Sequence, residues 1–250
     1  MTDAYCHLDM DVESPVADIE RRMLSANLSD AFLIETWDGR NRPALRQTNK
    51  FAVALCYRPE CRGELLQLME KGKLTGVRMS TEDIRLGKDF CGEIAASGTT
   101  LVAHAEAGIG PLCHELARCR EMKVYVPHLG WPIREGRADG DWEPALNEFT
   151  SLPFLNIGIS AIAHFSIQPF PHNDVRDLAL GLISQFPASR VVIGSDYPLF
   201  EKDRYAAFGA RLGDVDSFEL GIVFDGKPKT VFEGGGAACG SRRSKPGHCY

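Results

Sequence analysis

Five residues combine reactive side chains with a shared kind of position. They are His7 and Asp9 in AYCHLDM, His104 in TTLVAHA, His128 in KVYVPHL and Asp196 in RVVIGSDYP. Each lies in or just past a short apolar run. Imidazole titrates near neutrality and can take or give a proton during a reaction, and an aspartate can orient and deprotonate water. Two carboxylates with two or three imidazoles also suit one borderline divalent ion, zinc or manganese, with a coordination position left for water. Residue types and order leave both metal-assisted and metal-free acid-base chemistry open.

Positioning these groups requires strands. Val191 to Gly194 is β-branched or small, and Pro198 forbids the run from continuing, which sets Asp196 at the carboxyl end of a strand. A turn-forming cap for the following helix is the alternative role for that aspartate. Seven further runs precede it: 4–10, 31–36, 51–57, 74–80, 99–105, 123–129 and 154–160. Helical periodicity falls between them. Val16, Ile19, Met23 and Leu24 are spaced for a helix over 15–26, and further helices are expected over 64–71, 93–96, 112–122, 142–152 and 174–186. Eight strands joined by helix-length crossovers call for parallel pairing, which closes most simply into an α/β (β/α)8 TIM barrel. A doubly wound open sheet is the alternative, weakened by the lack of GxGxxG after the first strand and of a P-loop. In a barrel all five residues can meet at one mouth, with His7 and Asp9, at i and i+2, on one side of the first strand.

Composition narrows the class. The chain has 250 residues, 44% hydrophobic and 25% charged, as in an ordinary globular enzyme. A net charge of −6 offers no footprint for nucleic acid. There is neither a membrane-length apolar run nor a basic-then-apolar start, so no membrane association and a cytoplasmic location are expected. The eight cysteines are scattered without a CxxC pair and read as thiols rather than as disulfide staples or a zinc cluster. One barrel domain is expected over 1–225. The stretch 226–250, rich in glycine and basic residues and without periodicity, is expected to be a flexible tail.

HLD near the start, GVRMS, VAHAEAG, HLGWP and IGSDYP, in this order, resemble the amidohydrolase superfamily. More narrowly they resemble its amidohydrolase-2 branch, which includes 2-pyrone-4,6-dicarboxylate lactonase and aminocarboxymuconate-semialdehyde decarboxylase relatives. The likeness runs from about residue 4 to 205, while the 226–250 stretch departs from the closing helix of that family. The resemblance implies that His7 matches the first histidine of the family's HxH motif and that Asp9 stands in place of the second. His104 matches a histidine that binds metal in metal-dependent members, and His128 one that assists proton transfer. Asp196 matches the aspartate that binds metal or activates water. The implied metal set is therefore His7, Asp9, His104 and Asp196. Arg78 stands where lactonase relatives place an arginine that grips a substrate carboxylate, a task suited to the planar guanidinium.

These expectations combine into a hydrolase that opens a small carboxylated lactone or amide. Asp196 activates water, alone or with a metal, His128 or His104 supports the oxyanion and protonates the leaving oxygen, and Arg78 holds the substrate. A small molecule is the expected partner, and self-association into a homo-oligomer is left open. A metal-dependent non-oxidative decarboxylase and a catalytically silent, metabolite- or protein-binding barrel are the competing readings. Glu35, Trp37, Tyr57, Arg58 and Glu106 could line the pocket, and Trp37 and Trp131 could stack on a planar ring or pack as core. His164 and His172 read as loop residues, and His114 and His248 have no assigned role.

Overall fold

The computed structural model describes residues 2–118, 121–134, 137–138, 140–161, 165–168, 175 and 184–198. Most of the expected 174–186 helix, the 226–250 stretch, and Cys119, Cys239, Cys249, His164, His172 and His248 lie outside the described residues.

Among the described residues ten strands form: β1 (Thr2–Cys6), β2 (Asp30–Ile34), β3 (Ala52–Cys56), β4 (Gly76–Ser80), β5 (Thr100–His104), β6 (Val124–Val126), β7 (Ile133–Arg134), β8 (Arg137–Ala138), β9 (Leu155–Ile159) and β10 (Val191–Ile193). Eight of them make one parallel sheet in the order β1-β2-β3-β4-β5-β6-β9-β10, while β7 and β8 form a separate antiparallel pair. The expected eight-strand alternation is therefore present, and the small β7–β8 hairpin after β6 is additional. Strand ends fall within a few residues of expectation, with one consequential shift: β1 ends at Cys6, before His7 and Asp9.

Among the described residues seven helices lie in the crossovers: α1 (Pro15–Ser25), α2 (Arg42–Gln47), α3 (Arg62–Glu70), α4 (Thr81–Leu86), α5 (Lys88–Ser97), α6 (Ile109–Leu116) and α7 (Trp142–Thr150). Local chemistry sets several boundaries. Pro15 begins α1, where its missing N–H costs nothing. Ser80 caps α4 by accepting from the Asp83 amide at 3.0 Å, and Asp83 returns a bond to the Ser80 amide at 3.2 Å. Gly98 ends α5 in the left-handed conformation, φ +71°. The short α2 and α4 have too few turns to show periodicity and were not anticipated. In α1, Ile19 and Met23 are buried as expected, but Leu24 is 80% exposed and Asp18 is buried. One residue turns a helix by about 100°, so a side chain adjacent to a core position can already face water.

Two apolar layers hold the fold. The larger packs the outer face of the sheet against the helices. The smaller fills the barrel and includes Ala4, Tyr5, Phe32, Ile34, Ala54, Val102, Tyr125 and Val192. Phe32 on β2 and Tyr125 on β6 have ring centroids 6.4 Å apart although their strands are not neighbours, so they meet across the interior. Such rings fit because opposing positions lack side chains. A Cβ on Gly158 would lie 2.7 Å from Tyr125 Cε2, and one on Gly194 would lie 2.5 Å from Tyr5 Cβ.

The circle closes between β1 and the segment after β10. The Asp196 amide donates to Tyr5 O at 2.8 Å, and the His7 amide donates to Tyr197 O at 2.6 Å. Asp3 adds a side-chain lock, accepting from the Ser195 amide at 2.8 Å and from the Ser195 hydroxyl at 2.5 Å. Among the described residues no helix is long and apolar enough to cross a membrane.

Candidate active site

The seam that closes the barrel also sets the first pair of reactive groups. His7 lies just past the end of β1, and its ring meets that of the inward-facing Tyr5 edge to face at 5.3 Å. The His7 Nδ1–H donates to Ile34 O at 2.7 Å, so with a single ring proton Nε2 carries the lone pair. Nε2 faces Asp196 Oδ1 at 3.5 Å, with both side chains nearly inaccessible. That distance is too long for a strong direct hydrogen bond. Two acceptors converging across such a gap can share one water molecule, each receiving one of its protons. Asp196 adopts φ +59°, an uncommon conformation for a residue with a side chain.

His128 sits on the opposite arc, just past β6. Residues 128, 129, 130 and 131 all have positive φ, forming a left-handed turn. Gly130 is required there, because a Cβ would lie 2.6 Å from Ile109 Cδ1. The indole N–H of Trp142 on α7 donates to Leu129 O at 2.6 Å and holds the turn. Ser160 Oγ accepts from the His128 amide at 3.1 Å and lies 3.0 Å from Nδ1. If that hydroxyl donates its proton to Nδ1, the neutral ring carries its own proton on Nε2. Burial pushes the His128 pKa well below its ordinary value; Asp196 opposes the shift, while His104, Arg78 and His7 reinforce it. Burial thus disfavours the imidazolium, and a neutral ring with its proton on Nε2 would be an N–H donor.

His104, the last residue of β5, has a ring centroid 5.4 Å from that of His128. Burial also lowers its pKa, against the pull of Glu106, whose Oε2 is 3.8 Å from Nδ1 and beyond hydrogen-bond length. Arg78 on β4 is 4% exposed. Its Nη1 donates to Glu35 O at 2.8 Å, its guanidinium lies 4.0 Å from the centre of the Trp37 ring, and Nε has no hydrogen-bond partner. No carboxylate among the described residues lies within ion-pair distance of it. The Arg78 guanidinium also lies 5.9 Å from the centre of the Tyr5 ring, and that ring meets His7 at 5.3 Å and His128 at 4.5 Å, so Tyr5 links the arginine to both imidazoles.

Not every expected residue joins this group. Asp9 lies beyond the end of β1, where the alternation of a strand no longer applies. Its Oδ1 accepts from the Asp11 amide at 3.1 Å, and its charge bears on Arg22 and Tyr197. Glu35 is fully buried beneath the mouth, bonded to Arg42, Arg58 and the Cys56 amide. Glu106 accepts from the Thr81 amide at 2.9 Å. Tyr57 stacks on Phe90 at 4.8 Å in the outer layer. Trp37 and Trp131 flank the imidazoles: Trp37 is 5.5 Å from His104, and Trp131 is 5.6 Å from both His104 and His128. Tyr5, which edges His128 at 4.5 Å, Ser160 and Asp18 were not singled out in the sequence. Periodicity flags apolar positions and cannot tell a buried polar partner from a solvated one.

The expected metal set, His7, Asp9, His104 and Asp196, fits poorly. Among the described residues no three His, Cys, Asp or Glu side chains come together in a way that could hold a metal ion. His7 and Asp196 supply two donors, and Asp9 Oδ1 accepts the Asp11 amide of its own turn.

No family model matches the sequence, and no curated protein matches it. Similar solved structures include one described as a probable 2-pyrone-4,6-dicarboxylic acid hydrolase from Acinetobacter baumannii with citric acid bound. It is 16% identical over 89% of this chain and 95% of that one, with a TM-score of 0.65. An amidohydrolase from Burkholderia multivorans with bound zinc is 16% identical over 90% and 96%, with a TM-score of 0.65. An amidohydrolase 2 from Bifidobacterium longum subsp. infantis is 16% identical over 89% and 93%, with a TM-score of 0.61. At these identities the likeness shows the fold: the chain shares the TIM barrel of these amidohydrolases.

Proposed function

We propose that the chain is a hydrolase of the amidohydrolase-2 type that opens a small carboxylated lactone or amide, with water activated at Asp196. One observation carries this reading. A buried guanidinium, Arg78, with no carboxylate of the described protein at hand, lies 5.9 Å from the Tyr5 ring, whose edge meets His7 at 5.3 Å, and His7 Nε2 faces Asp196 Oδ1 at 3.5 Å. An unpaired buried cation is costly, and a substrate carboxylate would compensate it. Three solved amidohydrolase-type structures sharing the barrel, one of them described as acting on a pyrone dicarboxylate, support the same class.

The substrate carboxylate docks on the free edge of Arg78, which fixes the carbonyl carbon relative to the seam. A water hydrogen-bonded to Asp196 and His7 attacks that carbon as Asp196 takes its proton. Charge developing on the carbonyl oxygen is met by the His128 Nε2–H, a neutral donor already in place. The ring C–O bond then breaks, and the leaving oxygen receives the proton held by Asp196, directly or through His104. Hydrolysis consumes one water and yields one new carboxylic acid. No step here is routed through a divalent ion such as the zinc bound in one similar structure.

A pH-stat assay with carboxylated lactones, 2-pyrone-4,6-dicarboxylate among them, tests the proposal. Acid release by the native protein is expected, with a loss of roughly 10²–10⁴-fold in Asp196→Asn. Full turnover by that variant, or carbon dioxide as the product, overturns it.

A further inference from the structure

We infer that Asp18, on the outer helix α1, is a positioning residue that sets the gap between His7 and Asp196 through the side chain of Tyr197. The geometry stands on its own; only the kinetic consequence rests on the hydrolase reading.

Asp196 holds a left-handed backbone, and such a conformation persists where neighbouring contacts over-determine it. Contacts on three sides do so. Before it, Ser195 is locked to Asp3. At the residue itself, its amide is bonded to Tyr5 O at 2.8 Å. After it comes Tyr197, whose amide donates to Ser195 Oγ at 3.0 Å and whose carbonyl accepts the His7 amide at 2.6 Å. Tyr197 is thus covalently joined to Asp196 and hydrogen-bonded to His7, so a shift of its backbone moves both members of the pair.

The first two restraints belong to the seam itself. The tyrosine side chain instead leaves the barrel wall and is held from outside. It is 1% exposed, its hydroxyl donates to Asp18 Oδ2 at 2.8 Å, and the Arg22 guanidinium lies 5.0 Å from the centre of its ring. Arg22 Nε donates to the same Asp18 oxygen at 2.8 Å, and Arg21 binds the other oxygen. Asp18 is therefore fixed before Tyr197 reaches it. Favouring the helix amino end would require only an exposed acidic side chain. This one is 4% exposed, a position that an acidic residue accepts when it has partners to satisfy.

The test uses full-length protein with ¹⁵N-labelled histidine, the His7 ring signals being assigned by their loss in His7→Gln. Tyr197→Phe keeps the ring and its contact with Arg22 but deletes the hydroxyl. It is expected to move the His7 ring signals, keep the denaturation midpoint close to native, and lower lactone kcat tenfold or more with KM within twofold. Asp18→Ala should reproduce the changes in the His7 signals and in kcat while also lowering the midpoint, since it deletes the bonds to Arg21 and Arg22 as well, and Asp18→Asn, which retains an acceptor oxygen, should largely restore the native signals and kcat. In the His7 signals and kcat, the double variant Asp18→Ala/Tyr197→Phe should be no worse than Asp18→Ala alone, because both changes break the one Tyr197–Asp18 bond that reaches the pair. Unmoved His7 signals in folded Tyr197→Phe overturn the inference whatever the activity, as does a double variant showing the sum of two independent losses. If the signals move as expected while no lactone is hydrolysed by any form, the positioning role stands and the hydrolase reading falls.

Discussion

Replacing Glu35 with glutamine removes one charge that the mouth depends on without touching any group that meets substrate. The Glu35 carboxylate is fully buried and accepts four hydrogen bonds. Arg42 Nε reaches both oxygens at 3.0 Å, Arg58 Nη1 reaches Oε1 at 2.7 Å, and the Cys56 amide reaches Oε2 at 2.7 Å. Glutamine keeps one acceptor and turns an NH2 toward groups that are all donors. Two guanidinium groups, with side chains 12% and 27% exposed, then lose their shared counter-charge. Breaking a buried pair in this way costs about 3–5 kcal/mol. For a chain of this size that corresponds to a fall in Tm of roughly 6–20 °C. Thermal and urea unfolding followed by tryptophan fluorescence reads the loss. Trp37 is a local reporter, because its carbonyl accepts Arg58 Nη2 at 3.0 Å and its ring lies over Arg78. The control is Glu93→Gln, which breaks an ion pair of similar length, 3.0 Å to Arg62, with side chains 38% and 41% exposed; a cost below about 1 kcal/mol is expected there. A Glu35→Gln loss no larger than the control's would refute the argument, showing that solvent already screens the Arg42 and Arg58 charges.

Stability should also fall with acid. His104 and His128 are held neutral by burial, so their folded pKa values lie below the ordinary value near 6.5 while the unfolded chain protonates at that value. Below about pH 6.5 the unfolded state binds more protons, so each ring withdraws up to about 1.4 kcal/mol per pH unit until its folded pKa is reached. Urea midpoints measured from pH 7.5 to 5 should therefore decline below 6.5, and His128→Gln should flatten the decline; an unchanged slope would count against neutral burial. Gly158→Ala drives a Cβ into the Tyr125 ring inside the barrel and should destabilise by about 1–3 kcal/mol in the same assay, a native midpoint showing that the ring has room to move. Exhaustive chelation should leave lactone hydrolysis within about twofold of the untreated protein; a large loss restored by zinc or manganese would show that the donors regroup around an ion.

The barrel was legible because its signals are repeated: each strand is a short apolar run bounded by polar residues, and eight such runs in sequence have few ways to pair. His104 and His128 were legible for the same reason, since a strand boundary located to within a few residues suffices to place them at the mouth. The placement of Asp9 on the first strand beside His7 needed the end of β1 to one residue. Alternation holds only while the strand lasts, and Cys6 is its last member. Glu35 and Asp18 show a second limit. A buried carboxylate depends on arginines that arrive from other elements, and nothing local in SDAFLIET or PVADIE announces them. The left-handed turn at 128–131 shows a third, because HLGW contains one glycine whereas the structure uses positive φ at all four positions, held by Trp142 from the following helix.

The seam between Asp3 and Ser195 has a consequence for the order in which the molecule assembles. These residues are 192 positions apart, the longest separation among the side-chain bonds that surround the site. Contacts so distant in sequence form late, because closing such a loop is entropically costly until the intervening sheet exists. A chain released from the ribosome as far as β9 has seven of the eight barrel strands, and with them His104, His128 and Arg78, yet β1 and β9 remain open edges and His7 has no aspartate opposite it. Docking of β10 closes the wall and creates the reactive pair in one event. The same geometry run in reverse means that opening this seam would disable the chemistry while most of the sheet still holds.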